Sequence, residues 1–169
     1  MLRRDFRIAI TGSSGYLGSR LCRYFKTQGS SVFPLTGKPE IANVSLPATR
    51  FSLSEGVAKG FFAENRINTL IHAAYDFRPT SQREIWGINV KGSIALFKQA
   101  RDESVERVVF ISTMSAYEGC RSLYGQAKLE TEGALREMGL RVVRFRNDDV
   151  VRNLSAVVGK IQELAIQKA

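Results

Sequence analysis

Short apolar runs alternate with amphipathic stretches along nearly the whole chain. Strand-like segments fall at 6–11, 31–35, 69–73, 107–112 and 140–145, with a weaker one near 48–51. Between them the apolar positions take helical spacing. Leu17, Leu21, Tyr24 and Phe25 lie at i, i+4, i+7 and i+8, ahead of Gly29. Val57, Phe61 and Phe62 follow Ser54, a residue type that caps helices. Ser81 and Glu84 have capping-box spacing before Ile85, Ile88 and an apolar cluster at 94–97. A further helix is predicted from near Tyr124 to Gly139, where glycine suits a left-handed C-cap. A last amphipathic stripe uses Leu154, Val157, Val158, Ile161, Leu164 and Ala165.

Alternating β and α elements with near-continuous apolar strands predict an α/β fold, a parallel sheet covered by helices on both faces. No internal repeat, low-complexity tract or linker interrupts the pattern, so one domain is expected. At 169 residues the chain is long enough to bury a full core, and 44% hydrophobic content excludes wholesale disorder. No apolar run reaches the roughly 18 to 20 residues that cross a bilayer, so no membrane association is expected. Arg3-Arg4-x-Phe6 is superficially like an export signal, yet Arg7 interrupts the apolar stretch. Cys22 and Cys120 read as reduced thiols of a cytoplasmic protein, with no partner ligand for a metal. The net charge of +9 raises the question of nucleic acid. Its basic residues are dispersed, however, the densest group being Arg141, Arg144, Arg146 and Arg152. A solvated surface or an anionic small substrate explains them more simply.

Chemistry enters at Thr11-Gly12-Ser13-Ser14-Gly15-Tyr16-Leu17-Gly18, a glycine turn between a strand and a helix. That order offers backbone N–H groups and a positive helix N-terminus to a pyrophosphate. Gly12 allows the turn, Gly15 lets backbone approach phosphate, and Gly18 clears space where helix meets strand. Amides of residues 14–17 are predicted to face the phosphates. A purely structural βα turn is the alternative. The second strand runs into Leu35-Thr36-Gly37-Lys38. Without an acid to take the ribose 2′-OH, and with Lys38 just beyond, the site leans towards NADP without excluding NAD. Lys38 reads equally as a surface charge.

Downstream, Tyr124 and Lys128 stand at i and i+4, on one face of a helix. A phenol near its ordinary pKa of about 10 is a weak base at neutral pH; an adjacent ammonium and an oxidised nicotinamide would together favour its phenolate. Ser112, Thr113 and Ser115, at a strand end, supply hydroxyls that orient an alcohol or carbonyl.

With His72-Ala73-Ala74 and Asn89-Val90-x-Gly92, these motifs resemble the NAD-dependent epimerase/dehydratase family, extended short-chain dehydrogenases/reductases acting on nucleotide sugars. The resemblance spans roughly residues 6–147. It implies a doubly wound parallel sheet (Rossmann fold) with Tyr124 as acid/base, Lys128 tuning it and holding the nicotinamide ribose, and Thr113 assisting. Gly12, Ser14, Gly15, Tyr16, Leu17, Gly18, Thr36, Lys38, Ala73, Ala74, Ser112 and Lys128 are then the cofactor-binding set. His72 is assigned no chemistry and reads as a core histidine.

Several positions depart from the family pattern. Thr36 stands where NAD-type members often carry an acid, Ser52 replaces an aspartate, and only 118–123 separate the hydroxyl cluster from Tyr124. Residues 1–150 are expected to form the cofactor domain and 151–169 an amphipathic helix, with the substrate lobe largely absent. That stripe either packs on the chain's own sheet or supports a homodimer. An epimerase, dehydratase or reductase is favoured by the Tyr124, Lys128 and Thr113 set; a non-catalytic dinucleotide-binding module is favoured by the short lobe.

Overall fold

A computed structural model describes residues 6–41, 46–139, 152, 153, 155–157, 159, 160 and 163. Its centre is a five-stranded parallel sheet in the order β3-β2-β1-β4-β5. The strands are β1 (Arg7–Thr11), β2 (Ser31–Thr36), β3 (Thr49–Arg50), β4 (Thr69–His72) and β5 (Arg107–Phe110). The chain winds outward from β1 through β2 to β3, then returns to place β4 on the other side of β1. That reversal makes a crevice at the carboxyl ends of β1 and β4. There Thr11 is in register with His72, and His72 with Phe110.

The period of two in β1 divides the core. Ile8 and Ile10 face helix α1 (Tyr16–Thr27) and join Leu21, Cys22, Phe25 and Ile71. Ala9 faces the opposite layer with Leu70, Phe62, Leu96, Phe97 and Phe110. That layer includes α2 (Phe61–Glu64), α4 (Lys91–Asp102) and α5 (Leu123–Glu137). The doubly wound α/β architecture is therefore as predicted. Val157 is buried in the α1-side cluster, so this part of the C-terminal stripe covers the chain's own sheet. Leu154, Val158, Ile161, Leu164 and the predicted strand at 140–145 lie outside the described residues.

Local signals were read with mixed success. Ser81 and Glu84 form the capping box of α3 (Gln82–Ile85), which runs through a π-helical turn (Trp86–Val90) into α4. Ser122 caps α5 by accepting from the Gly125 amide at 3.1 Å, and Gly139 takes a φ of +76° beyond its end. Ser54 does not cap α2. The Glu103 carboxylate, projecting from just beyond α4, instead accepts from the amides of Gly60 and Phe62 at 2.8 and 2.7 Å. A distant acid has taken the role assigned to a neighbour. Cys22 and Cys120 are free and buried; burial pushes the Cys22 thiol up to about 12, which makes it inert.

Among the described residues no helix is long and apolar enough to cross a membrane. Phe97, fully buried between the sheet and α4, is expected to hold this layer together. Phe97→Ala should cost about 3–5 kcal/mol, read as a lower urea midpoint at unchanged slope.

Candidate functional site

The cleft begins where β1 ends. Gly12 turns with a φ of +66°, and a Cβ there would stand 3.0 Å from backbone atoms of Ala73 and Ala74. Only glycine lets the exits of β1 and β4 approach this closely. Gly18 closes the turn from the helix side, since a Cβ on it would lie 2.1 Å from the Gly12 carbonyl oxygen. The Gly15 amide donates to that carbonyl at 2.9 Å, so it is spent inside the turn. This corrects the expectation that every amide from 14 to 17 is available. The amides of Tyr16 and Leu17, on the first turn of α1, have no intrahelical acceptor and carry the positive end of its dipole.

Hydroxyls fasten this turn to β2. Ser13 Oγ donates to the Leu35 carbonyl at 3.1 Å, while Ser14 Oγ and Thr36 Oγ1 are 2.8 Å apart. Thr36 also accepts the Lys38 amide at 3.3 Å. The Lys38 side chain is exposed and stays outside the cavity.

A continuous cavity of about 460 Å³ runs from this turn to α5. Of the predicted residues, Gly12, Ser14, Gly15, Thr36, Ala73, Ala74, Ser112, Tyr124 and Lys128 line it. Tyr16, Leu17, Gly18, Lys38 and Thr113 do not. Tyr16 points outward, with the Arg20 guanidinium stacked 3.6 Å from its ring centre. Among the described residues no group of three His, Cys, Asp or Glu side chains is placed to hold a metal ion.

Lys128 and Tyr124 meet at the far end. Lys128 is buried, donates from Nζ to the Ile111 carbonyl at 2.8 Å, and lies 4.4 Å from the Phe110 ring centre. Burial lowers its pKa to about 8, and the nearby Glu132 carboxylate opposes that fall. Burial also raises the Tyr124 phenol above its usual value, while hydrogen bonding from Thr113 pulls it down. Desolvation is the larger of the two, so without a cofactor the protein keeps Tyr124 protonated at neutral pH. Thr113 sits beneath this pair rather than in the cavity and accepts the Ser115 amide at 3.2 Å.

Three groups at this end were not foreseen. Tyr75 and Phe77 pack on Tyr124 with ring centres 4.7 and 5.6 Å away, forming an aromatic wall; two aromatics in a polar loop were its only sequence signal. Asp76, beside them, pairs with Arg78 at 2.6 Å. Glu132 is fully buried, accepts a short hydrogen bond from Ser112 Oγ and is 3.2 Å from Arg136. Its i+4 spacing from Lys128 was legible but unused.

Fold and cleft together define a dinucleotide-binding α/β protein. Residues 8–139 match the NAD dependent epimerase/dehydratase family, and the chain belongs to it. No curated protein matches the chain. Solved structures do. MoeE5 in complex with UDP-glucose and NAD is 25% identical with a TM-score of 0.65, covering 82% of this chain and 52% of MoeE5. The Bordetella bronchiseptica enzyme WbmH in complex with NAD+ is 19% identical with a TM-score of 0.70, covering 85% of this chain and 56% of WbmH. UDP-glucose-4-epimerase from Stenotrophomonas maltophila, with bound NAD and formylated UDP-arabinopyranose, is 20% identical with a TM-score of 0.64. It is matched over 83% of this chain and 52% of its own. The chain thus spans about half the length of these structures.

The depressed Lys128 pKa has a direct consequence. The unfolded chain binds the extra proton between about 8 and 10.5, so Lys128 favours folding increasingly as pH rises through that window. NMR titration of ¹³Cε-labelled lysine should show one resonance with a midpoint at about 8, absent in Lys128→Arg. Uniform titration near the usual value of about 10.4 would contradict this burial.

Proposed function

We propose that the chain binds NAD or NADP along this cleft and serves hydride-transfer chemistry of the epimerase, dehydratase or reductase kind, on a substrate of the nucleotide-sugar class. The observation that carries this reading is one cavity with the glycine turn at one end and Tyr124 and Lys128 at the other. The residues fit a dinucleotide: backbone approaches closely at Gly12, hydroxyls of Ser14 and Thr36 face the cavity, and a buried ammonium closes it. When bound, the nicotinamide supplies the hydride acceptor or donor and, oxidised, a positive charge.

The chain's own residues supply the proton chemistry. Tyr124 would take the proton from the oxygen of a substrate hydroxyl as hydride departs from the carbon that bears it, and return that proton in the reverse direction. Its burial keeps the phenol protonated, so positive charge on Lys128 and the oxidised nicotinamide together favour the base form. Lys128 is held by the Ile111 carbonyl, and its remaining protons would be left to hold a nicotinamide ribose. Thr113 steadies the Tyr124 hydroxyl, and Ser112 presents a hydroxyl to the cavity. A module that binds dinucleotide without turnover is the second reading, favoured by the raised Tyr124 pKa. Residues 1–150 are proposed as the cofactor domain and 151–169 as the opening of a substrate lobe. The two free thiols suit a cytoplasmic setting. A homodimer through Ile161 and Leu164 is tested by light scattering at micromolar concentration.

Gly15→Val should abolish dinucleotide binding in titration calorimetry while circular dichroism stays unchanged, because it intrudes on the phosphate approach. Undiminished affinity would remove the turn from the site. NADP should bind at least as well as NAD, with a modest preference of about tenfold at most, or about 1.4 kcal/mol. A clear NAD preference that Lys38→Ala leaves untouched would show Lys38 to be surface charge only. Tyr124→Phe should lower turnover about 10²- to 10⁴-fold with cofactor affinity nearly intact. Wild-type turnover in that variant would move the chemistry to another group.

A further inference from the structure

His72 is the single histidine of the chain and is fully buried. Its ring packs edge-on to Phe97 and stacks with Phe110, at 5.3 and 5.7 Å. Packing alone would not fix which nitrogen bears the proton. The hydroxyls around it do.

Thr11 Oγ1 accepts the amides of Ala73 and Ala74 at 3.1 and 3.2 Å. With both lone pairs used, its hydrogen is left for His72 Nδ1, 2.7 Å away. A neutral imidazole accepting at Nδ1 carries its proton on Nε2. That nitrogen is 2.9 Å from Ser93 Oγ, which donates onward to the Asn89 carbonyl at 2.5 Å. The Asn89 side chain then turns back: Oδ1 accepts the Asp76 amide at 2.8 Å, and Nδ2 donates to the Asp76 carbonyl at 2.9 Å. The chain of bonds closes on itself around residues 73–76.

We infer that His72 is a positioning residue: as the Nε2–H tautomer it ties Thr11 to Ser93 and closes a hydrogen-bonded ring that fixes the 73–76 wall of the cleft. Ala73 and Ala74 on this wall press against Gly12, and Tyr75 packs on Tyr124 and Lys128. One imidazole thus sets the distance between the glycine turn and the aromatic wall. Protonation would turn an N–H towards Thr11, whose lone pairs are already taken, and break the ring. Burial first, then the charge of Lys128 on α5, lowers the His72 pKa to about 3. Among the described residues, Lys128 on α5 is the charged group that acts on His72.

Because the histidine is single, its ¹⁵N resonances are unambiguous in tag-free protein. Long-range ¹H–¹⁵N spectra without cofactor should show Nε2 protonated, Nδ1 unprotonated, and no titration between about pH 8 and pH 5. The Nδ1–H tautomer, a tautomer mixture, or a midpoint near the ordinary value of about 6.5 would overturn the inference. The second arm rests on the dinucleotide reading above. Thr11→Val deletes the hydroxyl and should lower NAD or NADP affinity about tenfold, whereas Thr11→Ser should stay within about twofold of wild type. A folded Thr11→Val chain with wild-type affinity would overturn the positioning role; if that variant fails to fold, the wild-type spectra decide alone. Wild-type protein that binds neither dinucleotide would overturn the functional reading only, since the tautomer is read without cofactor.

Discussion

The 2.7 Å hydrogen bond between Thr11 Oγ1 and His72 Nδ1 lies where the sheet changes direction. Neighbouring parallel strands ordinarily satisfy each other through backbone ladders, but at their carboxyl ends the ladder stops and the chains must part. The Thr11 side chain carries the pairing beyond the ladder by taking the next two amides of the β4 exit. Glycine 12 then turns away with its backbone almost touching Ala73 and Ala74. A crevice that opens at a strand reversal is a topological necessity; that this one has a rigid floor follows from these side-chain bonds.

The opposite wall obeys a different constraint, the cost of burying charge. Lys128 and Glu132 stand one turn apart on α5, both buried, and neither is tolerable alone. Glu132 offsets part of the desolvation of Lys128, takes the Ser112 hydroxyl, and reaches Arg136 towards solvent. Ser112 and Lys128 both face the cavity, so the buried carboxylate orders two cavity groups without entering the cavity itself. At Tyr124 the Thr113 hydrogen bond offsets only part of the desolvation, so the phenol keeps its proton. The sequence spacing of tyrosine and lysine carries no information about that balance.

How far the sequence could be read follows the range of the interactions. The β1 glycine turn, the capping box at Ser81 and the Tyr124–Lys128 face depend on residues within six positions of one another, and each was legible. The strand assignments that fall on described residues held because those strands carry short apolar runs, and β1 and β4 are buried along almost their whole length. Ser54 failed as a cap because α2 begins only at Phe61, and amides at its start are taken by Glu103, about forty positions further along the chain. The aromatic wall was missed for a related reason: Tyr75 and Phe77 have no periodicity to announce them, and their role appears only when β4 and α5 are brought side by side. His72 was correctly placed in the core, yet its hydrogen-bond partners, 61 and 21 residues away, give it a meaning that burial alone does not.

The two ends of the cavity are built to different standards of closure. At the glycine turn the hydroxyls of Thr11, Ser13 and Ser14 are held by partners on β2 and at the end of β4, and a methyl group added at Gly12 or Gly18 meets backbone atoms. At the Tyr124 end the inner groups are equally fixed, but the outer surface is aromatic and open: Phe77 is 74% exposed, and Met114 and Tyr117, on the segment after Thr113, are 52% and 56% exposed. Large apolar groups left in water around a polar, ordered interior favour being covered. Covering Phe77 would also exclude water from Tyr124, whose ring centre lies 5.6 Å from its own. Desolvation would then rise at the phenol, so the charge that offsets it must come from within the cleft. The ordering of the inner groups before anything covers the outer ones is what lets that charge be in place when the site closes.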